Sequence, residues 1–233
     1  MEIRTYLAMT PEEFREVSPL PPNPAWMACH FSPEGPTGLP SSLPPQSLVI
    51  LDDRILPGGP ADPLVTEEFV RLCSTADGLL LDFEHPMDPE LARAAQALSE
   101  ALPCPVAVSE AYAGPLTGPV FLSLVPPHVP LEERTAPWRG RELWLELGPG
   151  SEVLTLTASG AILSPASPLA PLPHTDPRLH CHYRMDPGED RVVFSLTRTQ
   201  EDLHALTAEA QALGVTRCVG LWQELNAINR SAP

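Results

Sequence analysis

The sequence predicts an α/β protein built on a parallel β-sheet, and three observations point to that class. Short apolar segments that end in acidic residues alternate with segments of helical periodicity, which is the order of elements in a parallel sheet. The clearest segment, residues 77–84, is apolar on both faces before its terminal acids, as expected for a strand covered by helices. The length of 233 residues is close to the roughly 250 residues of a one-domain α/β barrel. We therefore expect a single domain over residues 1–233.

The first half of the chain predicts four strands separated by helices. Thr10 is the predicted N-cap of a short first helix, with Glu13 completing a capping box. Residues 66–76 have helical spacing, and a further helix begins at the N-cap Asp88 and ends at Pro103. The predicted strands are residues 2–9, 25–31, 47–53 and 77–84.

The second half predicts four more barrel strands, over residues 104–112, 119–125, 192–197 and 215–225. Only residues 113–118 separate the first two, whereas a crossover between parallel strands normally takes about a dozen residues or more. At least one outer helix is therefore expected to be missing. Thr199 is the predicted N-cap of a last helix that Gly214 ends.

Two hairpins are predicted in the irregular region between these strands. Residues 143–147 and 153–157 flank Gly148-Pro149-Gly150, and residues 179–185 and 191–197 flank a second turn. The complete prediction is an irregular (β/α)8 TIM-type barrel with missing outer helices and a small antiparallel hairpin insertion at about residues 126–190.

Composition excludes several classes of function. The formal net charge of −16 repels phosphate backbones, so no nucleic-acid partner is expected. The chain has no Lys, because all 14 basic residues are Arg, and this excludes Schiff-base chemistry and attachment of pyridoxal phosphate. No cofactor is expected, and the five cysteines, without a CxxC pair, are expected to be buried free thiols. With neither a signal-peptide pattern nor an apolar run near the roughly 20 residues of a membrane span, we expect a cytoplasmic protein with no membrane partner.

Residues 77–84, Asp-Gly-Leu-Leu-Leu-Asp-Phe-Glu, carry the strongest functional pattern. Residues two apart on a strand point the same way, so Asp82 and Glu84 share one face at the C-terminal end of the predicted strand. The octet resembles the Asp-Gly-x-Asp-x-Asp-x-Glu strand of family 18 glycoside hydrolases, the chitinase-like barrels. Its first Asp, its Gly, its last Asp and its Glu match, and Leu80 stands where the family has its second Asp.

The resemblance implies a substrate class and a set of roles. It implies hydrolysis of N-acetylglucosamine-containing glycans by substrate-assisted acid/base catalysis, in which the acetamido oxygen of the substrate is the nucleophile. Glu84 would be the catalytic proton donor, and Asp82 the carboxylate that orients the acetamido group. Trp222 matches the Trp that forms the floor under the sugar ring. The other residues expected to bind a carbohydrate ligand are Tyr112, Glu110, Asp52 and Asp77.

Two departures from the family pattern leave an alternative function open. Leu80 removes a charge that would tune Asp82, and residues 119–125 lack the family's Met-x-Tyr-Asp element, for which Tyr112 is a substitute. The alternative is a catalytically degenerate barrel that binds a glycan or a protein partner. Because missing helices would expose apolar barrel surface, a homodimer is also considered. Two metal sites stay open as further alternatives: His180 with His182, and a divalent cation held by His30, Asp52, Glu84 and Glu110.

Overall fold

The protein is described by a computed structural model that covers residues 3–32, 35–54, 66–114, 116–167 and 172–230, without the side chains of residues 227–230. In chain order the strands are β1 (Arg4–Met9), β2 (Pro24–Ser32), β3 (Gly35–Thr37), β4 (Leu48–Asp52), β5 (Gly78–Asp82), β6 (Val106–Ser109), β7 (Val120–Leu122), β8 (Leu143–Glu146), β9 (Glu152–Thr157), β10 (Gly160–Pro165), β11 (His174–Asp176), β12 (Cys181–Pro187), β13 (Arg191–Thr197) and β14 (Val215–Leu221). The α-helices are α1 (Pro11–Glu16), α2 (Glu67–Thr75), α3 (Pro89–Ala101), α4 (Leu131–Thr135), α5 (Gln200–Ala212) and α6 (Trp222–Arg230).

Eight parallel strands close into a barrel. Their order is β1-β14-β8-β7-β6-β5-β4-β2, and β1 also pairs with β2 to complete the ring. Every pairing around the ring is parallel, and β3 adds a short antiparallel strand to the edge of β2. The predicted (β/α)8 barrel is thereby confirmed, and residues 77–84 supply its fourth strand, β5, as predicted.

Side chains along the barrel strands alternate between the interior of the barrel and the layer of outer helices. Leu80 lies in an interior cluster with Trp144, whereas Leu79 lies in the larger cluster under the helices. The interior is close-packed around Gly78: a Cβ there would lie 2.7 Å from both Trp144 Cη2 and Arg217 Nη1. The barrel is therefore filled with side chains, and glycine at position 78 makes room for the largest of them.

The end of the barrel at which the strands begin is closed by the Arg217 side chain. Its guanidinium carbon lies 4.5 Å from the centroid of the Trp144 ring and 5.8 Å from that of Tyr6. Arg217 Nη1 donates to the Asp77 carbonyl at 2.7 Å, and the Asp77 carboxylate accepts from Arg4 Nη1 at 2.6 Å and from the Tyr6 hydroxyl. Asp77, predicted to bind substrate, is thus part of the closure at this end, away from the end at which Asp82 lies.

Helix starts follow the predicted caps. Thr10 Oγ1 accepts from the Glu13 N–H at 3.3 Å, and Glu13 Oε2 accepts from the Thr10 N–H at 2.8 Å, which confirms the capping box. Asp88 and Thr199 cap α3 and α5 as predicted. In the described part of the β6–β7 connection there is only a 3-10 turn over Glu110–Tyr112, so an outer helix is missing there. None of the described helices has the length and apolar character needed to cross a membrane.

A five-stranded antiparallel sheet, of order β10-β9-β13-β12-β11, is inserted between the seventh and eighth barrel strands. The predicted hairpin over β12 and β13 is confirmed. The other predicted hairpin is wrong, because β8 pairs in parallel with β7 and β14 while β9 pairs with β10 and β13. The seventh barrel strand is therefore β8 and not residues 192–197. The sheet spans residues 152–197 rather than the predicted 126–190.

Three barrel strands end earlier than their apolar patterns indicate. β5 ends at Asp82, β6 ends at Ser109, and β14 ends at Leu221. In the last two cases a helical turn takes over: residues 110–112 form the 3-10 turn, and Trp222 begins α6. These early ends matter because they decide which side chains continue the interior face and which turn away from it.

Candidate active site

Acidic side chains gather at the C-terminal ends of the barrel strands, which we call the mouth. Asp52 ends β4 and Asp82 ends β5, and the two are register partners on adjacent strands. Glu146 ends β8, and Glu84 follows β5. Asp82 is two residues beyond Leu80 and so continues the interior face of its strand. Because α/β barrels act through the C-terminal ends of their strands, the mouth is the candidate active site.

The Asp82 carboxyl lies in an electrostatic environment that favours its neutral form. Burial raises its pKa to about 6, more than any other cause. The negative charge of Glu146 contributes next, followed by those of Glu84 and Asp52. The Arg54 guanidinium acts in the opposite direction and lowers the pKa. Asp82 therefore exchanges a proton close to neutral pH, as an acid/base group would need to do.

Glu146 is a mouth residue that the sequence does not reveal. Burial raises the pKa of its carboxyl, which accepts a hydrogen bond from the Leu124 N–H at 2.8 Å. The charges of Glu224 and Glu84 raise the pKa further. Glu224 extends over Gly148, where a Cβ would lie 3.0 Å from its Oε2. Glu146 goes unnoticed because residues 143–147 have a hairpin pattern, and a hairpin strand would not end at the mouth.

Glu84 projects from a backbone that a buried carboxylate holds in place. Asp53 is fully buried, and its Oδ1 accepts from the Glu84 N–H at 3.0 Å. Its Oδ2 accepts from the His85 N–H at 3.1 Å and lies 3.0 Å from His85 Nδ1. The Glu84 side chain itself is exposed. The main chain of the predicted proton donor is therefore fixed while its carboxyl stays accessible to a substrate.

Asp52 is already engaged by its neighbours at the mouth. Its side chain is almost fully buried, and its Oδ1 lies 2.7 Å from His30 Nδ1. The Arg54 side chain holds Oδ2 through Nε at 2.7 Å and Nη2 at 2.6 Å. The structure thus brings Asp52 to the mouth, with Arg54 as the positive charge beside the acids.

Glu110 lies in the 3-10 turn after β6, where it forms an ion pair with Arg134. Both Nη atoms of Arg134 donate to the Glu110 carboxylate, and Arg134 Nη2 also donates to Ser123 Oγ at 3.2 Å. Ser123 follows β7, on the interior side of that strand. Glu110 therefore lies near the rim as half of an ion pair, so any sugar contact would have to involve the pair.

Tyr112 is turned away from the mouth. Its ring is fully buried in the outer core and meets the Phe83 ring edge-on, with the centroids 5.0 Å apart. The hydroxyl donates to the Pro86 carbonyl at 2.8 Å and accepts from the Asp88 N–H at 3.2 Å. The structure does not bring Tyr112 together with Asp82 and Glu84, because the 3-10 turn ends the strand alternation on which that prediction relied. Instead, Tyr112 braces the segment that links β5 to α3.

Replacing Tyr112 with phenylalanine is expected to lower the free energy of unfolding by about 1 kcal/mol, since two hydrogen bonds of the β5–α3 segment are lost. The KM for any substrate that binds at the mouth is expected to stay unchanged. Urea unfolding and steady-state kinetics measure the two quantities. An unchanged stability together with a raised KM would place the hydroxyl on the substrate.

Trp222 begins α6 directly after β14, at the mouth end of the eighth barrel strand. Its side chain is partly exposed, and the neighbouring Leu221 is 39% exposed. Part of the Trp222 residue is therefore accessible to solvent, which the predicted stacking role requires. A depression of about 290 Å³, lined mainly by apolar and proline side chains, also adjoins the mouth. Its lining includes Leu163 of β10 and Leu124, whose N–H donates to the Glu146 carboxylate.

Replacing Asp82 with asparagine is expected to stabilise the folded protein above about pH 6. Folding raises the pKa of Asp82 from 3.8 to about 6. The stabilisation that protonated Asp82 provides is therefore complete below about pH 3.8, and it is lost as the pH rises through about 6. Asparagine keeps the neutral form at every pH, and we expect a gain of about 1–3 kcal/mol near neutral pH.

The measurement is urea unfolding of both proteins at about pH 4 and about pH 8, on either side of the titration. The gain is expected at the higher pH and should be small at the lower one. The control is Asp190→Asn, at an exposed residue between β12 and β13. It removes one carboxyl group, as Asp82→Asn does, but away from the mouth. A gain of the same size in Asp190→Asn would show that the effect comes from net charge alone.

The histidines considered as metal ligands are paired with carboxylates. His180 Nε2 lies 2.5 Å from Glu209 Oε2, and His182 Nδ1 lies 2.7 Å from Asp202 Oδ2. No group of three or more His, Cys, Asp or Glu side chains with the arrangement of a metal site occurs in the described residues. Both pairs instead join the antiparallel sheet to α5.

Neither a family model nor a curated protein matches this chain. Among solved structures, it is similar to the spore cortex-lytic enzyme SleL of Bacillus cereus, with a TM-score of 0.47 and 9% identity over 100% of this chain and 75% of that one. It is also similar to SleL of Bacillus megaterium QM B1551, with a TM-score of 0.47 and 13% identity over 100% of this chain and 74% of that one. Because both TM-scores lie below 0.5, the assignment of the barrel rests on its own strand pairing.

Proposed function

We propose that this chain is a hydrolase of glycosidic bonds in N-acetylglucosamine-containing glycans, with its active site at the mouth. The observation that carries the proposal is the pair formed by Asp82 and Glu84 at the end of the fourth barrel strand. One carboxyl has a pKa of about 6, and the other is exposed on an anchored backbone. Two neighbouring carboxyls with different environments are what glycoside hydrolysis requires.

Glu84 is the proposed proton donor to the leaving sugar oxygen. Its exposed carboxyl can reach a substrate that lies across the mouth, and Asp53 prevents its backbone from moving away. Asp53 is then a positioning residue, because it acts on the reacting group only through the main chain of Glu84 and His85. Holding the donor in one place contributes to catalysis by removing the need to orient it in each cycle.

Asp82 is the proposed partner of the acetamido group. In substrate-assisted hydrolysis the acetamido oxygen attacks the sugar carbon, and a carboxyl beside it orients the amide. Leu80 cannot supply the charge that the family places two residues earlier. Glu146 is the largest source of negative charge acting on Asp82, so it takes over the tuning from another strand. The departure at Leu80 is therefore compatible with a working site.

Other residues of the mouth are proposed to bind the substrate without taking part in the reaction. Trp222 is proposed to stack under a sugar ring, since it is partly exposed at the end of β14. Asp52 and Glu110 would contact sugar hydroxyls through ion pairs with Arg54 and Arg134. Charged pairs of this kind offer both donors and acceptors to a neutral glycan.

The test is hydrolysis of aryl chitooligosaccharides by the full chain between about pH 4 and about pH 8. Release of the aryl group is expected, and the limb of its pH profile that Asp82 sets should rise as the pH passes through about 6, because the charged carboxylate accepts a hydrogen bond from the acetamido N–H. The Asp82→Asn variant is expected to be much slower and to have lost this limb of the profile. Absence of release across the whole range would remove the hydrolase proposal.

A barrel that binds glycans or a protein partner without catalysis is the second proposal, and the β7 segment favours it. Phe121, Leu122 and Ser123 provide neither the Tyr nor the Asp that the chitinase-like family has there. Calorimetry with unmodified chitooligosaccharides separates the two proposals, because binding without turnover supports this one. A light-scattering mass tests the homodimer, and a cytoplasmic location is likewise a prediction.

A further inference from the structure

Two thiols meet between the outer elements that flank β5. Cys73 lies in the last turn of α2 and is fully buried. Cys104 lies between α3 and β6 and is partly exposed. The two side chains are joined by a hydrogen bond, and both cysteines are free thiols. This contact belongs to neither the mouth nor the closed end of the barrel.

The two thiols have opposite acidities. The hydrogen bond to Cys104 and burial raise the pKa of Cys73. The same hydrogen bond lowers the pKa of Cys104, and the positive charge of Arg217 lowers it further. Cys104 is thus the accessible and more acidic sulfur, and Cys73 is the buried sulfur in contact with it. A partly exposed nucleophilic thiol beside a resolving thiol is the arrangement typical of redox-sensitive pairs.

We propose that Cys73 and Cys104 form an intramolecular disulfide when they meet a low-molecular-weight disulfide such as oxidised glutathione. The Cys104 thiolate attacks one sulfur of the oxidant, whose S–S bond breaks and releases one glutathione thiolate. The Cys73 sulfur then displaces the second glutathione from Cys104, and the Cys73 proton passes to the departing glutathione sulfur. Two protein thiols give up two electrons, and oxidised glutathione takes them up as two glutathione thiols.

The other three cysteines do not share these features. Cys29, Cys181 and Cys218 are buried, and burial raises the pKa of each thiol to about 12. The Cys29 thiol donates instead to the Gly38 carbonyl at 3.7 Å. None of these three thiols is hydrogen-bonded to another thiol in the described contacts, so the oxidation is confined to one pair.

The cross-link would act on the segment that carries the mouth acids. Residues 73–104 include β5, Asp82, Glu84 and α3, and the disulfide closes this stretch into a loop. A disulfide stabilises the folded state mainly by restricting the unfolded chain, and more so for a longer loop. The redox state of the pair would therefore set the stability of the segment that holds Asp82 and Glu84, whether or not they are catalytic.

The experiment treats the folded chain of 233 residues with oxidised glutathione, blocks remaining thiols in denaturant, and digests with trypsin without reduction. Because the chain has no Lys, trypsin cuts at Arg71, Arg93 and Arg134 and places each cysteine on its own peptide, residues 72–93 and residues 94–134. The expected product is these two peptides joined, together with a rise in Tm of roughly 5 °C over the reduced protein. Separate peptides that are both fully blocked would overturn the proposal.

Two variants test the order of the steps. Cys73→Ala removes the resolving thiol, so glutathione is expected to remain on Cys104, whereas Cys104→Ser is expected to take up none. Cys218→Ala is the matched control, since it removes a buried thiol and should still give the joined peptides. Stable glutathione on Cys104 of the unaltered chain would show that Cys73 does not resolve it, and would also overturn the proposal.

Discussion

Replacing Glu84 with glutamine is expected to lower kcat for aryl chitooligosaccharides by at least about 100-fold while leaving the fold intact. Glutamine has nearly the same shape but cannot donate an acidic proton to the leaving oxygen. The side chain is exposed and makes no described contact on which the folded state depends, so urea unfolding should give a similar stability. Stopped and continuous assays of aryl release measure the loss.

Glu100→Gln is the matched control for Glu84→Gln. It makes the same chemical change on an exposed residue in the last turn of α3, where Glu100 bonds only with Gln96 among the described contacts. Its kcat is expected to equal that of the unaltered chain. If Glu84→Gln turns over at the same rate as Glu100→Gln, Glu84 is not the proton donor and the proposed mechanism fails.

Replacing Trp144 with alanine is expected to lower the free energy of unfolding by about 3–5 kcal/mol. The indole is 0% exposed inside the barrel, so its removal leaves a cavity between Gly78 and Arg217. The Arg217 guanidinium also loses the ring on which it stacks at 4.5 Å. Urea unfolding followed by circular dichroism measures the change.

Trp138→Ala provides the comparison for Trp144→Ala. Trp138 ends the 3-10 turn after α4, outside the barrel, and is only partly buried. Its loss is expected to cost clearly less than the loss of Trp144. Equal costs would mean that the interior of the barrel is not the most closely packed part of the fold.

Most of the barrel can be predicted because short stretches of the sequence are enough to identify its strands and helix starts. Residues 78–82 alternate between an interior face and an outer face, and the caps at Thr10 and Asp88 mark helix starts within a few residues. Such signals need no knowledge of distant parts of the chain. The same holds for Asp82, which lies at the mouth because its strand ends there.

The seventh strand shows where local patterns stop being sufficient. Residues 143–147 and 153–157 flank a Gly-Pro-Gly turn, and nothing in those residues says whether the first segment pairs with the second or with β14. The choice depends on closing a ring with strands far away in sequence, which a window of the sequence does not contain. The error hid Glu146, because a strand in a hairpin would not end beside Asp82.

Tyr112 and Trp222 illustrate a second limit. Both follow apolar runs that read as strands to their ends, yet a helical turn begins at Glu110 in one case and at Trp222 in the other. Where a strand gives way to a helical turn, the direction of the next side chain changes, so strand alternation no longer predicts it. Tyr112 consequently lies in the outer core instead of beside the acids.

The stack of Arg217 on Trp144 and Tyr6 limits how a ligand can reach the interior of the barrel. Because one end of the barrel is closed, any ligand that enters at the mouth has to leave at the mouth. Because the interior of the barrel is also filled with side chains, a long polymer could not pass through it and would have to lie across the mouth.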